Sequence, residues 1–187
     1  GQGMHGFGGS GGAEEARDLR KAVFVGCFGI GQVAPVGLRF TRDGAVDYDA
    51  ILRLGRWLAG FEGVKGLTVL GHAGEGTFLE RDEQARVIEC FRESVNGRLP
   101  IIAGITLEGT QVAVEEAKRA VKAGASAGLV YPSHGWLRFG YQKGTPQDRY
   151  RAIYEGSGLP LILFQDPDAT KATYDLETQL EIAAQPG

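Results

Sequence analysis

The 187 residues are 43% hydrophobic, enough for one domain with a real core, and their 20 basic and 23 acidic side chains give a formal charge of −3. That balance, with no Lys/Arg cluster, excludes nucleic acid or an anionic membrane surface as the main partner. No run reaches the roughly 18 apolar residues that a membrane span requires.

The first twelve residues, GQGMHGFGGSGG, hold seven glycines and no core pattern. Residues 1–21 therefore read as a disordered leader or an appended remnant, and residues 22–187 as the folded domain. Arg17, Arg20 and Lys21 precede the apolar, Gly-rich stretch Ala22–Val36 and so imitate a signal peptide. The glycines make it a poor helical core for export, and a cytoplasmic protein is expected. Cys27 and Cys90 fit no metal-ligand spacing and read as buried, reduced thiols.

Five β-branched runs alternate with helical stretches. QVAPVGL (Gln32–Leu38) is the first, and Asp47 can cap a helix over Tyr48–Ala59. GLTVLG (Gly66–Gly71) follows, with Thr77 and Glu80 at capping-box spacing before a helix that reaches Val95. After PIIAGI (Pro100–Ile105), Thr110 can cap a helix whose apolar face is Ala113, Ala117, Ala120 and Val121, stopped by Gly124. AGLVYP (Ala127–Pro132) precedes Thr145-Pro146 and Asp148, which set a cap, a first-turn proline and an N-terminal acid together. PLILFQ (Pro160–Gln165) is the last strand, and Asp175 opens a short helix reaching Ala184.

The strand starts differ by 34, 34, 27 and 33 residues. The runs are continuously apolar rather than alternating, as in parallel strands covered on both faces. A strand–helix unit repeating at this interval is the βαβ signature, used by open doubly wound sheets and by closed barrels. The first strand–helix connection lacks a G-x-G-x-x-G loop, and periodicity leaves both architectures open. In a barrel the site forms at the C-terminal strand ends. Those ends hold Leu38 and Arg39, His72 to Gly76, Thr106, Ser133 to Arg138, and Phe164 to Asp166.

Longer segments carry a resemblance. GQVAPVGLRFTRDGAVDYDAILRLGRWLAG (Gly31–Gly60) has an Asp-Gly turn and a Val-Asp-Tyr helix start. GLTVLGHAGEGTFLERDEQARVIE (Gly66–Glu89) has a Gly-x-x-Gly-Glu-like loop before a Leu-Glu-Arg helix opening. LPIIAGITLEGTQVAVEEAKRAVKAGASAGLVYPS (Leu99–Ser133) and GLPLILFQDP (Gly158–Pro167) complete the series. In order and spacing they resemble the dihydrodipicolinate synthase and N-acetylneuraminate lyase family of class I aldolases. The resemblance implies an α/β fold of (β/α)8 TIM-barrel type, incomplete, with about five βα units of eight. It also implies a pyruvate-type 2-keto acid as substrate, no cofactor, and a homo-oligomer.

A class I aldolase needs an amine nucleophile, a proton relay and donors for the substrate carboxylate. The resemblance places the Schiff-base lysine, in a Gly-x-Lys setting, on a sixth strand just after Gly187. None of Lys21, Lys65, Lys118, Lys122, Lys143 and Lys171 follows an apolar strand in that way. The relay tyrosine of strand five aligns with Phe164, and the paired hydroxyl residues after strand two align with His72 and Ala73. The backbone of Gly71–Gly76, including Gly74, remains a candidate anion nest. Glu75 reads either as a brace for that loop or as a general acid/base. In SHGWLRFG, His134 and Arg138 are candidate substrate contacts, Arg138 through a bidentate carboxylate pair, and Trp136 a candidate wall. The bland reading of this string is a hydrophobic loop docked on the rim.

Three functions follow. One is a lyase or aldolase acting on a 2-keto acid, with the lysine supplied by a strand beyond Gly187. Another is a catalytically silent fragment or interaction module with open strand edges. The third is a metal-dependent aldolase using His72 and His134 with Glu75 or Asp166. No local His-x-His spacing supports this last reading, and no metal is expected.

Overall fold

A computed structural model describes residues 32–187, so the glycine-rich leader and Cys27 lie outside the described residues. Five strands, β1 (Gln32–Pro35), β2 (Val64–Val69), β3 (Ile101–Ile105), β4 (Ala127–Val130) and β5 (Leu161–Leu163), form one parallel sheet in the order β1-β2-β3-β4-β5. Each crossover carries a helix: α1 (Tyr48–Leu58), α2 (Arg81–Ser94), α3 (Thr110–Ala123), then α4 (His134–Phe139) with α5 (Thr145–Ser157). The chain continues into α6 (Leu176–Ala183). A doubly wound sheet reverses its strand order at a switch point, whereas a barrel adds each strand beside the last. The unbroken sequential order therefore selects the barrel, and the chain forms five of its βα units.

Side chains alternate across the sheet with a period of two. Leu67, Val69, Ile101, Ala103, Ile105 and Val130 join a core with Ile51, Val87, Phe91, Ala113, Ala117 and Ile153 of the helices. The alternate positions Thr68, Ile102, Leu129 and Ile162 face the other way, and of these Thr68, Leu129 and Ile162 are only half-buried. Among the described residues the helix-side layer is thus the more fully covered, and on the barrel side only Ile102 of these four is buried. All three residues of β5 are half-buried, because β5 pairs with β4 and with no other described strand.

Capping chemistry sets the helix starts. Asp47 accepts the Ala50 amide at 2.9 Å, and Asp175 accepts that of Thr178 at 2.8 Å, as the sequence suggests. The start of α2 differs. Glu80 is its N-cap and forms a reciprocal capping box with Glu83, whereas Thr77 lies in a 3₁₀ turn over Gly76–Phe78. Gly109 and Gly144, rather than Thr110 and Thr145, cap α3 and α5, so each threonine is the first helical residue. Val121 is exposed while Val114 and Glu116 are buried, which rotates the inner face of α3 from the expected one. The bland sequence reading puts a rim loop at Ser133–Arg138, but His134–Phe139 is helical. Cys90 is a buried free thiol.

Candidate functional site at the strand ends

The backbone at the end of β2 turns sharply. Leu70 adopts φ +60°, uncommon for a branched residue, and its peptide is enclosed by two glycines. A Cβ on Gly76 would lie 2.7 Å from both Leu70 Cα and its carbonyl carbon, and one on Gly104 would lie 2.7 Å from the same carbon and 2.8 Å from Gly71 Cα. Only hydrogen fits at either position. A 3₁₀ turn over His72–Gly74 follows, closed by Glu75 at φ +53°. The amides of Gly74, Glu75 and Gly76 donate to the carbonyls of Gly71, His72 and Gly71, at 2.9, 3.1 and 3.4 Å. Three amides of the candidate anion nest are thereby held within the loop. Ala73 is exposed, and Gly74 is buried, where a Cβ would meet the Val36 carbonyl oxygen at 2.7 Å. The Glu75 carboxylate is exposed and makes no hydrogen bond to a described residue.

Parallel pairing brings the aromatic residues together. The bonds from Tyr131 N to Ile105 O and from Phe164 N to Val130 O carry the ladders one residue past β4 and β5. Val130 pairs with Leu163, so Tyr131 and Phe164 are neighbours on the barrel side, with ring centroids 4.3 Å apart. The His72 ring lies 4.0 Å from Tyr131, 4.8 Å from His134 in a stacked pose, and 6.4 Å from Phe164. The structure therefore joins three candidates, His72, His134 and Phe164, in one chain of ring contacts with Tyr131, which motif reading misses. Its signal is present in the sequence: it follows an apolar strand on the side opposite the buried Val130.

The electrostatics follow from this packing. Burial, and then the charge of His134, push the His72 pKa below the ordinary imidazole value, against the pull of Asp166 and Glu108. Burial raises the Tyr131 phenol above its ordinary value and outweighs the lowering influence of the His72 backbone, so the phenol stays protonated at neutral pH. Tyr131 thus keeps a hydroxyl beside the ring of Phe164, which has none.

Other expected contributors stand elsewhere. Thr106 is buried, its amide and hydroxyl directed to Glu116 at 2.9 and 3.3 Å. Arg138 is exposed, with its guanidinium over the Phe139 ring at 5.5 Å, and it follows His134 by four residues on α4 and so shares its face. Trp136 is half-buried against the core, 5.5 Å from Tyr141. Lys118 pairs with Glu115 and Lys143 with Glu177, away from the cluster. Among the described residues no three His, Cys, Asp or Glu side chains converge as metal ligands. His72 and His134 stack face to face, at 20° between planes, instead of aiming nitrogens at a common point.

Glu108 is the second residue that sequence reading passes over. It lies between β3 and α3, and its carboxylate accepts the Ser133 hydroxyl and the amides of His134 and Gly135 at the start of α4. Burial raises its pKa, but these hydrogen bonds outweigh burial and hold it below the usual glutamate value.

Among the described residues no helix is long and apolar enough to cross a membrane. The sequence profile of the Dihydrodipicolinate synthetase family matches residues 30–187. The chain is 35% identical over 140 residues to 4-hydroxy-tetrahydrodipicolinate synthase from Rhodopseudomonas palustris (strain BisA53), covering 73% of this chain and 45% of that protein. It is 33% identical over 159 residues to the enzyme of that name from Stenotrophomonas maltophilia (strain R551-3), covering 83% and 51%. The fold matches the crystal structure of the chloride-inhibited dihydrodipicolinate synthase from Acinetobacter baumannii complexed with pyruvate, with a TM-score of 0.73, 30% identity, and coverage of 83% of this chain and 52% of that one. N-acetylneuraminate lyase from Fusobacterium nucleatum shares the fold at TM-score 0.69 and 21% identity, over 80% and 50% of the two chains. The chain spans about half the length of the relatives it matches. With five βα units in sequential strand order and a family profile matched over residues 30–187, this chain belongs to the dihydrodipicolinate synthetase family.

Proposed function

We propose that this chain supplies the substrate-holding and proton-handling face of a lyase that acts on a pyruvate-type 2-keto acid. The observation that carries the reading is the His72–Tyr131–His134–Phe164 cluster, which lies where barrels do their chemistry. Tyr131 offers a phenol, and His72 and His134 offer imidazoles. In this reading Arg138, on the face of α4 that begins with His134, pairs with the substrate carboxylate, and the Ala73 amide, unbonded among the described residues, and the loop at Gly74 offer further donors. Glu75 stands on the rim. No lysine among the described residues joins the cluster, so the amine that would form a Schiff base comes from outside these residues. A cytoplasmic setting fits the buried free thiol of Cys90.

The test is pyruvate titration followed by NMR at His72 and Tyr131, with cyanoborohydride trapping alongside. Pyruvate is expected to shift both residues and to leave no covalent adduct on this chain alone. Silence at both, or an adduct on any of its lysines, would overturn the proposal.

A second reading draws on a different observation. Leu176 and Leu180 of α6 are 69% and 59% exposed, and with Leu161, Leu163 and Ile162 they line an apolar groove of about 400 Å³ beside the edge of β5 that pairs with no described strand. An open edge next to apolar surface favours association, so in this reading the chain acts as part of a larger assembly, including a homo-oligomer.

A further inference from the structure

Glu108 is held in place from three directions. The Glu116 carboxylate accepts the amides of Thr106 and Leu107 at 2.9 and 3.0 Å, which fixes the start of the loop. Arg149, buried in α5, donates to the carbonyls of Leu107 and Glu108 at 2.7 and 3.1 Å, which fixes its middle. The Glu108 side chain then bonds Ser133 and the first amides of α4. A surface carboxylate that only capped a six-residue helix would need none of this support from α3 and α5.

The result is that Glu108 Oε1 lies 2.7 Å from Nδ1 of His134. Two lone pairs at that separation repel, so the ring proton belongs on Nδ1 and Nε2 keeps its lone pair. Nε2 has no hydrogen-bond partner among the described residues. The other face of the ring stacks on His72 at 4.8 Å, inside the aromatic cluster.

We infer that Glu108 and His134 form an acid–base dyad at this site, in which Glu108 fixes the Nδ1–H tautomer and Nε2 of His134 takes a proton from the hydroxyl group of a hydroxylated 2-keto acid. The inference rests on the keto-acid reading above and names the group that handles the proton. In the transfer the O–H bond breaks, its electron pair stays on oxygen, and an Nε2–H bond forms; the reverse step returns the proton. Glu108 is a positioning residue, and His134 is the catalytic one.

The test uses the chain labelled with ¹⁵N-histidine and long-range ¹H–¹⁵N correlation to read the His134 tautomer. The Nδ1–H form is expected in the parent. It should be lost in Glu108→Ala and retained in Glu108→Gln, whose amide oxygen still accepts from Nδ1. Two ligands then separate the claims. Pyruvate, which has no hydroxyl, should move His72 but leave His134 Nε2 in place, whereas 4-hydroxy-2-oxobutanoate should move both. The dyad is overturned by an Nε2–H tautomer in the parent, by an unchanged tautomer in Glu108→Ala, or by a silent Nε2 when the hydroxylated ligand moves His72. If neither ligand moves His72, the keto-acid reading fails and the substrate assigned to the dyad fails with it. The tautomer measurements would still decide whether the dyad is built.

Discussion

Replacing Arg149 with methionine isolates the clamp beneath the site. The side chain is 1% exposed, and its guanidinium donates to Leu107 O at 2.7 Å and Glu108 O at 3.1 Å. Burial lowers its pKa, so desolvation weighs against the cation despite its two partners. Its Nε is buried with no hydrogen-bond partner among the described residues. Methionine fills similar space and removes that penalty, but leaves two carbonyls without donors. An unpaired buried acceptor costs about 1–3 kcal/mol. The Leu107 carbonyl is the more enclosed of the two, while the Glu108 residue is exposed and its carbonyl can turn to water. The net loss is therefore about 2 kcal/mol, at the middle of that range. With a urea dependence of about 2 kcal/mol per molar, typical for small proteins, the unfolding midpoint should fall by about 1 M. Trp136 fluorescence and far-UV circular dichroism would follow the transition. The same variant should weaken the contact between Glu108 and His134, because the loop that carries Glu108 loses its anchor. An unchanged midpoint would refute the clamp. A lowered midpoint with His134 resonances identical to the parent would refute its link to the site.

Further outcomes follow from the same contacts. The folded-state pKa of His72 is lowered, so its contribution to stability is complete above the unfolded value of about 6.5 and is lost as pH falls through the folded value; the urea midpoint should rise with pH across this window more steeply in the parent than in His72→Asn, and equal slopes would contradict the assignment. Gly76→Ala places a methyl against the Leu70 backbone and should cost about 1–3 kcal/mol with loss of pyruvate-induced shifts, whereas Gly37→Ala, with nothing within 4 Å of its Cβ, should change neither. Leu180→Glu on the α6 groove should reduce self-association in sedimentation velocity, and a species distribution matching the parent would remove that face from the interface.

Much of the fold is readable in order along the chain. Five apolar runs and the caps at Asp47 and Asp175 emerge at their observed places, because strand burial and capping are local properties of sequence. Boundaries are less exact: β1, β3, β4 and β5 are shorter than their apolar runs, β2 begins two residues before its run, and Thr110 and Thr145 stand one position inside the helices that sequence reading has them cap. At α2, Glu80 competes with Thr77 for the cap, and the loop geometry imposed by Gly76 and Leu70 decides between them. At the site, His72, His134 and Phe164 are identifiable as strand-end residues and by alignment with a known pattern. Tyr131 carries only the signal of its place after an apolar strand, and Glu108 carries none, since neither belongs to a motif and each acquires its role from a partner distant in sequence.

The amino-acid sequence by itself determined the βα repeat, the family pattern and the set of residues at the strand ends, since each follows from local periodicity and spacing. Tertiary structure alone decided that the strands run in unbroken sequential order, which separates a barrel from a doubly wound sheet of the same local pattern. It also decided which strand-end residues meet. The Tyr131–Phe164 contact depends on the register of β4 with β5, and the Glu108–His134 contact spans 26 residues and relies on Arg149 and Glu116 from two other helices. Pair register and long-range hydrogen bonds arise only when separate segments pack, so no local window of the chain contains them.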